Sequence, residues 1–222
     1  MRLQGKMGHS KIEYLLPEEI ENRSFEIIDE ELLKRGIHLP AREAMITKRV
    51  IHTSADFDYA KTLCFSKGAV AELEGLIKNG ADIVTDTNMA LAGINKRVLA
   101  KFGGKAHCFM AEDEVALLAK QKNMTRASVS MEKAAAIEHP VIFVIGNAPT
   151  ALIKLYEMSK GRNWKPAFII GVPVGFVNVE AAKELILETE IPYIINRGRK
   201  GGSNIAAAIC NAVLYGLMRK EE

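Results

Sequence analysis

Arg197-Gly198-Arg199-Lys200-Gly201-Gly202-Ser203 gathers three cations and three glycines into seven positions, just ahead of a helical stretch. Free backbone N–H groups and the positive end of a helix dipole can hold an anion there. Arginine meets carboxylates and phosphates bidentately, so Arg197 and Arg199 suit an acidic ligand. The same loop also reads as a solvated basic turn before a capped helix. A second constellation is Arg49-Val50-Ile51-His52-Thr53-Ser54. Positions 49 and 52 share a helical face, and histidine is the side chain best suited to proton transfer near neutral pH. His52 reads equally as a helix cap or a satisfied, partly buried group. An arginine so close disfavours imidazolium, so an acid role for His52 needs an anionic ligand to restore the balance.

These groups need a scaffold. The N-terminal third (residues 1–65) is helical in character, with a first helix opening at Pro17-Glu18-Glu19 and stopped by Gly36, and a second from Ala41 to about Ile51. Beyond it (residues 66–222), short apolar runs alternate with amphipathic helices. Strands are expected at Ala81–Thr85, Ala106–Met110, Val141–Ile145, Ala167–Ile170 and Tyr193–Ile195. Runs such as Val-Ile-Phe-Val-Ile are apolar on both faces, which calls for helices on both sides of a parallel sheet. The expectation is an α/β chain forming one domain over 1–222: a three-layer α/β/α sandwich, five strands in the order 2-1-3-4-5, with an N-terminal helical extension. In such sheets ligands bind beyond the carboxyl ends of the strands. Those ends run into Asp86-Thr87-Asn88, Gly146-Asn147-Ala148-Pro149-Thr150, Gly171-Val172-Pro173-Val174-Gly175-Phe176 and the basic loop. Four such loops at one edge, three of them rich in Gly or Pro, describe a large, shaped pocket.

Composition narrows the classes. Hydrophobic residues make up 48% and charged residues 26% of 222, and the net charge is only +3. That argues against a nucleic-acid binder with a broad basic face. No apolar stretch is long enough, unbroken by Gly or Pro, to span a bilayer, and Met1–Lys6 holds no signal-peptide core. The three cysteines are far apart and read as reduced thiols of a cytoplasmic protein. No cluster has metal-ligand spacing, and neither Gly-rich nucleotide fingerprint is present.

Glu21-Asn22-Arg23-Ser24-Phe25, Arg49-Val50-Ile51-His52, Gly146-Asn147-Ala148-Pro149-Thr150-Ala151-Leu152, Gly171-Val172-Pro173-Val174-Gly175-Phe176-Val177 and Arg197-Gly198-Arg199-x-Gly201-Gly202-Ser203 together resemble the precorrin-8X methylmutases. The resemblance runs in order from about residue 14 to 215. It implies a flavodoxin-like fold, a homodimer with active sites near the subunit interface, and no added cofactor. The implied substrate is a polycarboxylate tetrapyrrole whose methyl group moves from C11 to C12 of ring C by a [1,5]-sigmatropic shift. His52 matches the family histidine that protonates ring C or holds a proton there. Ser24, Arg49 and Arg126 match ligand-facing positions. Thr87, Asn88, Asn147, Thr150, Pro173, Gly175, Phe176, Arg197, Arg199, Gly201, Gly202 and Ser203 are expected to contact the ring and its carboxylates. Thr53-Ser54 departs from the small residues associated with the oxygen-dependent enzymes and favours the cobalt-early pathway. Cobalt would then arrive only inside the substrate. The two hydroxyls either orient the imidazole or cap the helix. A corrinoid carrier on the same fold is the competing reading.

Overall fold

Pro17 supplies a pre-set first turn, and the Glu19 carboxylate reaches back to accept from the Leu16 N–H at 3.1 Å, so a helix begins here. A computed structural model describes residues 13–161 and 164–221. The Met1–Lys6 stretch that was read for a signal peptide lies outside them. The first helix, α1 (Pro17–Lys34), ends before Gly36, whose φ of 65° makes the stop. Helix α2 (Ala41–Ser54) follows and buries Ile46, Thr47, Val50 and Ile51. A short α3 (Tyr59–Thr62) leads into β1 (Leu63–Phe65), and α4 (Ala69–Lys78) into β2 (Asp82–Thr85). Next come α5 (Asn88–Gly93), α6 (Lys96–Lys101), β3 (Ala106–His107), α7 (Asp113–Gln121), α8 (Arg126–Ala134) and β4 (Val141–Ile145). The chain finishes through α9 (Pro149–Ser159), β5 (Phe168–Gly171), α10 (Val179–Leu187), β6 (Tyr193–Asn196) and α11 (Ser203–Glu221).

The sheet order is β1-β6-β5-β4-β2-β3. The five parallel strands lie in the expected sequence, but the expected five-stranded sheet has a sixth member. β1 pairs antiparallel with β6, Leu63 opposite Asn196. Three half-exposed residues carry too little periodicity to announce a strand, so only the pairing partner defines it. Strands β2, β4 and β5 are buried throughout. Their side chains alternate between two cores: Ile83, Ile142, Val144 and Ile170 face α2, α4 and α11, whereas Val84, Phe143, Ile145 and Ile169 face α8, α9 and α10. That is a three-layer arrangement.

Helix α11 sits deep in the first core with Ile205, Ala206, Ile209, Ala212, Val213, Leu214 and Leu217 all buried. A helix apolar around most of its circumference belongs between layers. Its small residues let neighbours approach closely: a Cβ on Gly216 would lie 2.8 Å from the Met45 terminal methyl. Helix α2 therefore lies directly on α11 and is fixed relative to the sheet. No helix among the described residues is long and apolar enough to cross a membrane.

Candidate functional site at the carboxyl ends of the strands

Two groups of predicted residues are built by different elements. The first is helical. The His52 imidazole, at the last turn of α2, is exposed and stacks on the Phe25 ring of α1, with centroids 5.3 Å apart and 25° between planes. The Arg49 guanidinium lies 4.8 Å from the same ring and 5.9 Å from that of Tyr215, and it pairs with Glu21. Phe25 thus sets both side chains, a role the sequence signalled only by adjacency to Ser24. The Ser24 hydroxyl donates to the Ile20 carbonyl one turn back at 2.9 Å. Thr53 and Ser54 donate to the Arg49 and Val50 carbonyls at 2.9 and 2.8 Å. Both hydroxyls bond back to carbonyls of their own helix, and among the described residues neither is hydrogen-bonded to the imidazole.

The second group is the rim. Asp86, just past β2, is wholly buried and accepts from three backbone N–H groups: Gly146 at 2.8 Å on one oxygen, Asn147 at 2.8 Å and Ala148 at 2.6 Å on the other. Burial pushes its carboxyl above the usual range, and the three donors pull against that. Asp86 was legible only as part of a loop, yet it shapes the Gly-Asn-Ala-Pro-Thr turn. Thr87 caps α5 and exchanges a 2.7 Å hydroxyl bond with Ser203, joining the β2 and β6 ends. Thr150 and Thr125 share another at 2.9 Å, which brings Arg126, exposed at the start of α8, beside the β4 loop. The Gly202 N–H donates to the Val172 carbonyl at 2.9 Å and ties the β5 and β6 loops.

Glycine is required at two of these crossings. A Cβ at Gly146 would sit 2.7 Å from the Ser203 Cα, and one at Gly201 would overlap the Val172 carbonyl oxygen. Gly201→Ala is therefore expected to cost about 1–3 kcal/mol by forcing two backbones apart, read as a lowered thermal midpoint. Pro173 is buried below the rim, whereas Phe176 and Val177 are 82% and 79% exposed and Asn88 and Asn147 face solvent.

The basic loop is less free than its composition suggested. Arg197 pairs with Glu184 at 3.2 Å, Arg199 with Glu180 at 2.7 Å, and Lys200 with Asp56 and Asp58, each at 2.6 Å. Lys200 holds Asp56 below the usual carboxylate range. The Lys200 pairs bind the two groups together, because Asp56 lies four residues beyond His52. Met45 meets Gly216 and Arg49 meets Tyr215, so α2 packs on the C-terminal half of α11. A separate cavity of about 410 Å³ opens between α1, α2 and α11, lined by Phe25, Met45, Lys48, Arg49, Tyr215 and Arg219. It takes in Arg49 but not His52.

An exposed imidazole thus lies four residues before Asp56, which Lys200 ties to the strand-end loops, and the motifs run in the order quoted above. The family model for precorrin-8X methylmutase matches residues 19–216. The chain belongs to that family. Two relatives named cobalt-precorrin-8 methylmutase are similar over nearly their whole length. That of Leptospira interrogans is 44% identical over 204 residues (88% of this chain, 91% of the relative). That of Salmonella typhimurium is 43% identical over 206 residues (90% and 96%). The precorrin-8X methylmutase of Pseudomonas aeruginosa is 38% identical over 87% of this chain and 93% of its own. The crystal structure of the precorrin-8X methylmutase of Thermus thermophilus superposes with a TM-score of 0.81 at 35% identity, covering 91% of this chain and 98% of that one. The methylmutase fold seen here, with its sheet and its helical layers, is that of a solved relative.

Proposed function

We propose that this methylmutase is an isomerase of cobalamin biosynthesis that moves one methyl group from C11 to C12 on ring C of cobalt-precorrin-8, giving cobyrinate. The observation that carries the mechanism is the His52 imidazole, exposed, stacked on Phe25 and tied to the strand-end loops through Asp56 and Lys200. A proton given to ring C, or held there, draws electron density from the framework the methyl group crosses and lowers the barrier. A positioned acid of this kind contributes about 10²–10⁴-fold. Arg49, one turn before His52 on α2, and Arg126, next to the β4 loop, serve as partners for peripheral carboxylates. The paired arginines of the basic loop are rim charges that hold the loop's shape while the backbone N–H groups opening α11 face the ligand.

The migration is intramolecular, so the reaction as proposed takes no methyl donor and no added cofactor, and cobalt enters only within the ring. The names of the relatives at 44% and 43% identity support the cobalt-bearing substrate. Exposed Phe176 and Val177 support a homodimer in which a second copy covers the rim and completes the enclosure of a large ring. Free Cys64, Cys108 and Cys210 support a cytoplasmic, reducing setting.

The test is incubation of the purified protein with cobalt-precorrin-8 and nothing else, followed by visible spectrum and mass. Isomerisation changes the chromophore and leaves the mass unaltered. A bound chromophore whose spectrum never changes would make the protein a carrier; no feature of the site favours that outcome.

A further inference from the structure

The most unusual charged group of the methylmutase lies outside every motif quoted above. Lys183 of α10 has no solvent exposure, although lysine is almost never fully buried. Its Nζ donates to the Gly198 carbonyl at 2.7 Å and the Lys200 carbonyl at 2.9 Å. Both belong to the basic loop. The Asn196 side-chain amide takes the Arg197 and Lys200 carbonyls at 3.1 and 2.9 Å, so the loop is gripped from beneath by two residues. On the same face of α10, Glu180 and Glu184 hold Arg199 and Arg197. Positions 180, 183 and 184 are one turn of helix, and all three act on this one loop.

The buried charge is solvated by two carbonyls and feels Glu180 only through space, with no ion pair of its own among the described residues. Glu180 and Glu184 are taken by the arginines, and among the described residues no carboxylate pairs with the Lys183 ammonium. An unpaired buried cation is costly. The loop it holds leads directly into α11, where a helix N-terminus favours negative charge. A substrate carrying carboxylate arms supplies what the protein leaves out. We propose that Lys183 is a positioning residue for the substrate, fixing the 197–203 loop from below and setting how tightly it grips a carboxylate arm of the tetrapyrrole. The inference rests on the tetrapyrrole reading given above. It extends to His52, because Lys200, whose carbonyl Lys183 holds, also clamps Asp56 and Asp58 at the end of the helix bearing the imidazole.

A pH signature follows. Burial pushes the Lys183 ammonium down to about 8. Glu180, one turn earlier on α10, acts on it through space, and the loop whose carbonyls it holds carries Arg197 paired with Glu184, Arg199 with Glu180 and Lys200 with Asp56 and Asp58. The charge is present below that pH and lost above it, so the grip weakens as pH rises.

The experiment measures kcat and KM on cobalt-precorrin-8, and the dissociation constant for cobyrinate, across about pH 6.5–9.5, for the natural protein, Lys183→Met and Lys183→Gln. Lys183→Met is expected to raise KM and the dissociation constant about 10–100-fold with kcat altered less than about threefold. Lys183→Gln, keeping N–H donors without charge, recovers part of that loss. Weakening above about pH 8 in the natural protein disappears in both variants. Unchanged affinity in the variants, or flat affinity through pH 8 in the natural protein, overturns the proposal even where the thermal midpoint falls. Should Lys183→Met fail to fold, Lys183→Gln and the natural protein's pH profile decide. A natural protein that binds cobyrinate but converts nothing counts against the isomerase reading, while the dissociation constants still judge Lys183.

Discussion

His52→Ala is expected to lower kcat about 10²–10⁴-fold while KM and corrinoid affinity move by no more than a few-fold. The asymmetry comes from the geometry. The imidazole projects from the last turn of α2, exposed, and its contact with the protein is a ring stack on Phe25. Removing it opens no core cavity and breaks no buried network, so stability should hardly change. In the proposed site ring binding falls to the loops, Arg49 and Arg126, which the substitution leaves in place. A proton donor that acts only as the methyl group migrates is a transition-state interaction, and its loss appears in kcat. Phe25→Ala should show a diluted version, because it frees the imidazole and the Arg49 guanidinium together. Parallel steady-state kinetics on the three proteins check this. Normal turnover in His52→Ala would remove the acid from the mechanism.

Asp86→Ala should be the most damaging change to the fold of the rim, costing about 3–5 kcal/mol and lowering the thermal midpoint by on the order of 10 °C. Three backbone N–H groups, that of buried Gly146 and those of Asn147 and Ala148, lose their acceptor at once. Asparagine is no remedy. With its oxygen toward Gly146, its amide faces two N–H groups; flipped, it accepts from Asn147 and Ala148 and confronts Gly146. Asp86→Asn is accordingly expected to be destabilised as well, and to bind corrinoid weakly, because the β4 loop carries Asn147 and Thr150. Thermal denaturation of both variants gives the answer, and a midpoint within about 2 °C of the natural protein would mean that water substitutes for the carboxylate.

The scaffold was largely visible in the sequence because burial on both faces leaves a plain mark. Val-Ile-Phe-Val-Ile reads as an inner strand and the α/β alternation as a parallel sheet, while the order 2-1-3-4-5, which alternation alone does not fix, is the one the five parallel strands take. What escaped was short or non-local. β1 has three residues and exists by virtue of Ile194–Asn196 opposite it. α5 and α7 hid in short stretches whose buried positions are few, with Ala90 alone buried in α5 and Val115 and Ala119 in α7.

The site divided in the same way. Residue types that do chemistry were legible from type and spacing, so His52 and the basic loop stood out. Their partners were not. Arg197 and Arg199 meet carboxylates 13 and 19 positions away, and Lys200 meets one 144 positions away. Lys183 did leave a signal. It falls on the stripe formed by Val179, Ala182 and Ile186, all buried, where a solvated lysine would not be placed. Asp86 left less, since an aspartate after a strand reads equally well as an ordinary turn residue.

The most direct measurement is a crystal structure of the protein with its corrin product. The ring should lie across the strand ends, with the His52 imidazole against ring C and carboxylate arms on Arg49, Arg126 and the backbone opening α11. A ring lodged instead in the cavity between α1, α2 and α11, with His52 turned away from it, would contradict the account.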